Sequence, residues 1–155
     1  DNIGEFKTPL GIPEIVQEGT DLTLVSYGST FNLCEQACTL LKENGILVEL
    51  IDAQTLIPFD VNHMIGKSLN KTNRLLVVDE DVSSGATAYI LDKVLVGQKG
   101  FFNLDSAPET LSAKDHRPPY GTDGDYFSKP SVDDIYEKVY QIMNEVDPAK
   151  YPSLY

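Results

Sequence analysis

Tryptophan is absent from this chain of 155 residues, and cysteine and methionine occur only twice each. Basic residues are also scarce, because 12 lysines and arginines stand against 24 aspartates and glutamates, which leaves a net charge of −12. Such a surface repels phosphate backbones and anionic membranes, so we expect neither a nucleic-acid partner nor a membrane partner. No apolar run approaches the roughly 20 residues of a membrane-spanning helix.

The two cysteines, Cys34 and Cys38, lie four residues apart on a predicted helix. A disulfide across one helical turn has poor geometry, and two thiols without a nearby histidine make a poor zinc site. We therefore expect buried, reduced thiols and a cytoplasmic protein. The first nine residues lack a basic region followed by an apolar one, so no secretory signal peptide is expected.

Four apolar stretches, each followed by a helix-like segment, dominate the rest of the chain, at residues 22–27, 46–51, 74–78 and 109–113. This alternation predicts βαβ units, and hence an α/β fold with a parallel sheet and helices on its faces. Residues 12–17 form a further strand candidate, which Pro13 restricts to a sheet edge or to the start of a strand.

The helices are predicted at residues 30–44, 61–69, 83–96 and 132–146. Asp60 is suited to cap the second of these helices, and Ser131 begins a pattern typical of a capping box. Residues 114–129 have no periodicity and contain Pro118 and Pro119, so we expect a long irregular loop.

Ligands of parallel sheets bind beyond the carboxyl ends of the strands, where three candidate groups occur. Residues 28–30 (Gly-Ser-Thr) could present backbone N–H groups to a phosphate, or simply begin a helix. The acidic residues 79–81 could bind Mg²⁺, or form a solvated turn. His116 beside Asp115 could act as a dyad, or have a structural or interface role, while His63 lies apart from the other candidates.

Several segments resemble the transketolase C-terminal domain as it occurs in beta subunits of 2-oxo acid dehydrogenases. Residues 23–29 (TLVSYGS) are similar to its T-x-V-x-Y/W-G-S/T motif, and residues 48–60 (VELIDAQTLIPFD) to V-E-V-I-D-L-R-T-L-x-P-x-D. Residues 68–80 (SLNKTNRLLVVDE) resemble S-V-x-K-T-x-R-L-V-V-V-x-E, and residues 11–19 resemble the family lead-in. The motifs agree in order and spacing over nearly the whole chain.

The chain departs from the family pattern at three places. Gln54 stands where the family has arginine, and Thr87 where it usually has glutamate. The D-x-P-x-P sequence after the last strand is altered around residues 115–119. These changes place individual polar contacts in doubt and point to a divergent branch of the family.

The resemblance implies a three-layer αβα sandwich with a mixed five-stranded sheet, in which four strands are parallel and one edge strand is antiparallel. The complete enzymes bind thiamine diphosphate and Mg²⁺, oxidatively decarboxylate pyruvate or a branched-chain 2-oxo acid, and pass the acyl group to a lipoyl acyltransferase. The cofactor lies between other domains, so no catalytic, cofactor-binding or metal-binding residue is expected here. The implied partners are the thiamine-binding domains, in a dimer or heterotetramer, and the acyltransferase.

We expect a lead-in at residues 1–10, the domain at 11–148 and a tail at 149–155. The alternative is a stand-alone flavodoxin-like module that binds an anion or Mg²⁺ for signalling through residues 28–30 and 79–81. On the first hypothesis the helix at 132–146 and the tail are docking candidates, and the individual interface candidates are Ile57, Pro58, Phe59, Asp115, His116, Pro118, Tyr151 and Tyr155.

Overall fold

The computed structural model describes residues 4–121 and 123–154. Its five strands are β1 (Glu14–Gln17), β2 (Leu22–Ser26), β3 (Val48–Asp52), β4 (Leu75–Val82) and β5 (Glu109–Ala113). Its α-helices are α1 (Gly28–Glu43), α2 (Met64–Thr72), α3 (Ala86–Leu91), α4 (Gly124–Ser128) and α5 (Val132–Val146).

The strands form one mixed sheet in the order β1-β3-β2-β4-β5. Strands β2, β3, β4 and β5 run parallel, while β1 pairs antiparallel with β3 at the edge. Pro13 immediately precedes β1, a position where its missing N–H leaves no gap in the ladder. The predicted mixed sheet with one antiparallel edge is therefore confirmed.

Helices cover both faces of this sheet and divide the core into two apolar clusters. Because side chains alternate along a strand, Leu22 and Leu24 of β2 face one cluster and Val25 faces the other. All five residues of β2 are buried, as expected for a central parallel strand covered on both sides. Helices α1 and α5 supply the first cluster, and α2 and α3 with the turn after it supply the second.

Helix α5 begins with the predicted capping box. The Ser131 hydroxyl oxygen accepts a hydrogen bond from the Asp134 backbone N–H at 3.2 Å, and the Asp134 carboxylate accepts one from the Ser131 N–H at 2.8 Å. These contacts satisfy two backbone donors that would otherwise be unpaired at the helix start.

Helix α2 begins three residues later than its apolar pattern predicts. His63 adopts a left-handed conformation with φ of 54°, so the helix starts at Met64 instead of Val61. Asp60 still caps it, because its buried carboxylate accepts from the N–H groups of Met64 at 2.7 Å and Ile65 at 2.8 Å.

Two further segments differ from the prediction. The expected helix at 83–96 begins only at Ala86, and it widens into a π-helical turn at Asp92–Gly97 before a 3₁₀ turn at Gly100–Asn103. The loop at 114–129 contains the short helix α4. An apolar pattern cannot reveal either feature, because a single turn is too short to show a period.

The two thiols are free and buried, and burial raises the pKa of both Cys34 and Cys38 to about 12. Both side chains belong to the α1 face of the first core cluster. Within the described part of the chain, no helix is both long and apolar enough to cross a bilayer.

Candidate functional site

The carboxyl edge of the sheet brings together the end of β4 and the chain segments that follow β2 and β5. An open cleft of about 370 Å³ lies there, and its lining includes Tyr27, Gly28, Ser29, Asp79, Glu80, Asp81 and Lys129. Two of the candidate groups, residues 28–30 and 79–81, thus lie side by side.

The first contact in this cleft joins Tyr27 to Asp79. The Tyr27 hydroxyl donates to the Asp79 carboxylate at 2.9 Å, and the Asp79 side chain is only 2% exposed. Burial first, and then this hydrogen bond, raise the pKa of Tyr27 above its ordinary value. The second oxygen of Asp79 accepts from the Glu80 N–H at 2.7 Å, so this carboxylate already has two protein donors.

The second contact joins Glu80 to Lys129, 49 residues away in the sequence, at 3.0 Å. Hydrogen bonds from Lys129 and, more weakly, from Ser29 lower the pKa of Glu80, and the pKa of Lys129 is raised in return. Ser29 lies in the first turn of α1, where a helix favours a negative charge. The Glu80 carboxylate is thus a negative charge of the protein itself beside the start of α1.

The third contact involves Asp115, which binds Ser83 and not its neighbour His116. The Asp115 carboxylate accepts from the Ser83 N–H at 3.0 Å and from the Ser83 hydroxyl at 2.5 Å, and these bonds lower the Asp115 pKa. Nδ1 of His116 instead lies 2.9 Å from the Arg117 carbonyl oxygen. The possible Asp115–His116 dyad does not form in this structure.

The acidic residues 79–81 were a possible turn on the sequence, but they lie in the last part of β4, and they offer few free ligands to Mg²⁺. Asp81 accepts from the Val82 N–H at 2.8 Å, and the other two acids are engaged as described above. In residues 4–121 and 123–154, no group of three or more histidines, cysteines, aspartates or glutamates is arranged to hold a metal ion. The hydrogen bonds of these acids tie the loops at this edge to one another.

The interface candidates after β3 lie apart from this cleft. The lining of the cleft does not include residues 57–59, and β2 and β4 stand between β3 and β5 in the sheet. Ile57 is 85% exposed and Pro58 is also exposed, but Phe59 is half-buried, with its ring 6.0 Å from that of Tyr89. Gln54, at the position of the family arginine, donates to Glu14 at 2.9 Å and so ties this loop to β1.

The remaining candidates divide into exposed and buried groups. Asp115, His116 and Pro118 are all exposed in the loop after β5. Tyr151 is only 4% exposed, because its ring packs against Tyr140 in the core. It anchors the tail to the domain and presents no free ring to a partner. Tyr155 lies outside the described residues.

The motif residues that suggested a family form a polar link between β2, β3 and α2. The hydroxyl of Thr23 lies 2.6 Å from those of both Ser68 and Thr72. Lys71 pairs with the buried carboxylate of Glu49 and with Glu18 at 2.9 Å. These motif residues therefore hold α2 against the sheet.

The partners of the edge acids, Lys129 and Ser83, were not predictable from the sequence. They lie 49 and 32 residues from Glu80 and Asp115, so no local pattern links them. The sequence analysis also missed a groove between α2 and the 3₁₀ turn, whose one sequence signal is the adjacent pair Phe101 and Phe102 in a polar turn.

Comparisons with known proteins agree with the motifs. The family model "Transketolase, C-terminal domain" matches residues 11–135. The pyruvate dehydrogenase E1 component subunit beta of Acholeplasma laidlawii is 34% identical over 131 residues, which are 84% of this chain and 39% of that protein. The same subunit of Mesostigma viride is 34% identical over 139 residues, 90% of this chain and 42% of that protein.

A third relative, the mitochondrial 2-oxoisovalerate dehydrogenase subunit beta 2 of Arabidopsis thaliana, is 30% identical over 140 residues, 90% of this chain and 38% of that protein. Among solved structures, a split-gene transketolase described as an inactive beta4 tetramer superimposes with a TM-score of 0.69. That match covers 90% of this chain and 45% of the other, at 16% identity, and it shows the shared fold.

The chain spans about two fifths of the length of the curated relatives it matches. The match to the family model covers most of the domain, and its residues are the ones that join α2 to the sheet. The chain belongs to the transketolase C-terminal domain family.

Proposed function

We propose that this chain is the C-terminal assembly and docking domain of a thiamine-diphosphate-dependent 2-oxo acid dehydrogenase, in its decarboxylating component. One observation carries the proposal: the chain is about one third identical to pyruvate and 2-oxoisovalerate dehydrogenase beta subunits over some two fifths of their length. The parent enzyme would oxidatively decarboxylate pyruvate or a branched-chain 2-oxo acid.

In this proposal thiamine diphosphate and Mg²⁺ bind to other domains of the parent. The carboxylates of Asp79, Asp115 and Glu80 accept hydrogen bonds from Tyr27, Ser83 and Lys129. They therefore do not fit the octahedral set of oxygen ligands that Mg²⁺ requires. The domain itself then contributes no catalytic residue. Its role is to bury an interface with the thiamine-binding domains and to present a docking surface to the acyltransferase.

The proposed partners are the thiamine-binding domains, in a dimer or heterotetramer, and a lipoyl acyltransferase. The tetrameric state of the transketolase neighbour supports the first, since that protein shares the fold. The acidic surface supports the second, because a net charge of −12 would attract a basic binding domain. Ile57 with Pro58, and the loop with Asp115 and His116, are the exposed candidates for these contacts.

Titration of the purified chain with a basic subunit-binding domain of a lipoyl acyltransferase tests the docking role. Saturable binding is expected in calorimetry. Ile57→Ser is expected to weaken it if the loop after β3 belongs to the contact. Val96→Ser, at a site 73% exposed in the π-helical turn, provides the control. Equal affinity of both variants would remove Ile57 from the interface, and no binding at all would contradict the docking role.

The absence of catalysis in this domain is tested separately. With thiamine diphosphate, Mg²⁺ and either pyruvate or a branched-chain 2-oxo acid, the chain alone is expected to release no CO₂ above the background without protein. Turnover by the chain unaided, or stoichiometric binding of thiamine diphosphate to it, would overturn the proposed division of labour.

A further inference from the structure

A groove between α2 and the 3₁₀ turn carries positive charge, although the protein as a whole is strongly acidic. Its lining includes His63, Lys67, Asn70, Gln98, Lys99 and Phe102, and no carboxylate lies among the described residues that form it. We propose that this groove docks an acidic segment of another polypeptide that carries an apolar side chain among its carboxylates. The inference rests on the proposed assembly role and specifies the chemistry of one contact.

Two lysines provide the positive charge of the groove. Lys67 and Lys99 are both exposed, and neither forms an ion pair within residues 4–121 and 123–154. The Lys67 ammonium group donates to the Asn62 carbonyl oxygen, at 2.8 Å. A carboxylate from a partner would therefore meet two cations that have no carboxylate of their own.

The acid nearest to Lys67 in the sequence, Asp60, does not cancel its charge at the surface, and Asp105, the acid nearest to Lys99, is paired with Arg74 at 2.7 Å. Asp60 is buried, and its carboxylate accepts from the N–H groups of Met64 and Ile65 and from the Gln98 side chain at 2.9 Å. Gln98 also accepts from the Gly66 N–H at 2.8 Å. These bonds join α2 to the turn after the π-helix, so the floor of the groove is fixed before any partner binds.

The apolar part of the contact is supplied by an exposed aromatic pair. Phe102 is 83% exposed and Phe101 63% exposed, with ring centroids 6.0 Å apart in an edge-to-face arrangement. Exposed aromatic rings are enriched in surfaces that bind other proteins. Covering Phe102 would remove most of its ring from water, which favours a partner with an apolar group at that point.

Charge also selects the class of partner. A net charge of −12 opposes approach to a nucleic acid, an anionic membrane or a second copy of this chain, and two lysines are too few to reverse that repulsion. A short acidic segment can bind the local cations while little of its charge extends beyond the groove. The rest of the acidic surface then lies beyond a screening length and repels the segment only weakly.

The test uses isotope-labelled chain and a short synthetic peptide of glutamates flanking one leucine, followed by backbone NMR shifts. We expect shifts centred on Lys67, Lys99 and Phe102, and weakening as salt rises. Lys67→Glu is expected to weaken binding about tenfold, since it turns an attraction into a repulsion, whereas Lys42→Glu on exposed α1 makes the same charge change elsewhere. Phe102→Ala is expected to weaken it too, with Phe6→Ala, at a site 71% exposed, as its control.

Four outcomes would overturn the inference. The first two are that a peptide with glutamine in place of glutamate binds with the same affinity, or that Lys42→Glu weakens binding as much as Lys67→Glu. The other two are that the NMR shifts are confined to the loop after β5, or that the chain binds phosphatidylserine vesicles and not the peptide. The acyltransferase titration uses a basic ligand, so it is independent of the peptide titration. If the binding domain binds and the acidic peptide does not, the docking role still holds and the groove proposal fails. The reverse result would leave only the acidic-segment contact.

Discussion

At the scale of single residues, the polar side chains of this domain are used mainly to hold the chain in place. Glu49 is 1% exposed, and its carboxylate is paired with Lys71, whose side chain is 41% exposed. A buried carboxylate without a charged partner is expensive, so the pair couples the stability of β3 to the position of α2. Lys71 and Glu49, which lie in the motifs that suggest a family, thus also have a structural role.

Lys71→Met is expected to lower the free energy of unfolding by about 2–3 kcal/mol, because it leaves the Glu49 carboxylate buried without its cation. Urea denaturation measures the loss. Lys42→Met, at an exposed position on α1, is expected to change stability by less than about 0.5 kcal/mol. The double variant Lys71→Met with Glu49→Gln should regain part of the loss, and an unchanged midpoint in the single variant would contradict the role of the pair.

At the scale of elements, helix starts are fixed by short-range polar contacts. The capping box of Ser131 and Asp134 is encoded within four residues, so the beginning of α5 is predictable from sequence. Helix α2 differs, because its cap, Asp60, lies four residues before Met64 and reaches it only through the left-handed turn at His63.

Ser131→Ala is expected to destabilise the domain by about 1 kcal/mol, since the Asp134 N–H loses its acceptor. Thermal or urea unfolding measures this change. Thr39→Ala, in the exposed interior of α1, removes a hydroxyl that caps no helix start and should be neutral or slightly stabilising. Equal effects of the two substitutions would show that the cap contributes nothing.

The contact between β4 and α4 gives a pH-dependent prediction. Since Lys129 holds the Glu80 pKa below its ordinary value, this pair stabilises the fold above the unfolded pKa of about 4.3, and its contribution is lost as pH falls through the lower folded value. Lys129→Met should therefore cost less than about 1 kcal/mol at pH 7 and nothing in acid.

Carbon-detected NMR titration of the Glu80 carboxyl measures the same effect directly, and its pKa should rise in Lys129→Met. Lys42→Met removes an exposed positive charge elsewhere and should leave the Glu80 pKa unchanged. A similar rise in both variants would show that general charge, and not the 3.0 Å contact, sets the value.

At the scale of the whole molecule, charge is the dominant property. The chain carries twice as many acidic as basic residues. Such an excess affects how fast partners arrive more than how the chain folds. The proposed basic binding domain would be attracted over distances that depend on salt.

We expect the association rate constant with that binding domain to fall about tenfold between 0.01 M and 1 M salt, as the screening length shortens from about 30 Å to about 3 Å. The dissociation rate constant should change much less. Stopped-flow fluorescence measures both. A flat association rate would show that the acidic surface does not steer the encounter.

The agreement between prediction and structure follows the range of the interactions involved. The four parallel strands, the edge strand after Pro13 and the cap of α5 were predictable, because apolar alternation and capping act within a few residues. The π-helical turn at Asp92–Gly97 and helix α4 were not, since each spans too few turns for an apolar pattern to repeat.

The candidate site shows the same division. The sequence alone placed residues 28–30 and 79–81 at one edge, since both follow parallel strands. It could not show that Lys129 pairs with Glu80, or that Asp115 accepts hydrogen bonds from Ser83 and not from His116. It also could not show that Tyr151 is buried. Those contacts join residues far apart in the chain.

The sequence by itself therefore determined the α/β layering, the acidic surface and the family, because each is set by local patterns or by composition. The tertiary structure alone decided which edge acids are bonded internally, and that two exposed lysines and two phenylalanines lie on one face. The physical reason is that pairing and exposure depend on which distant segments the folded sheet brings into contact.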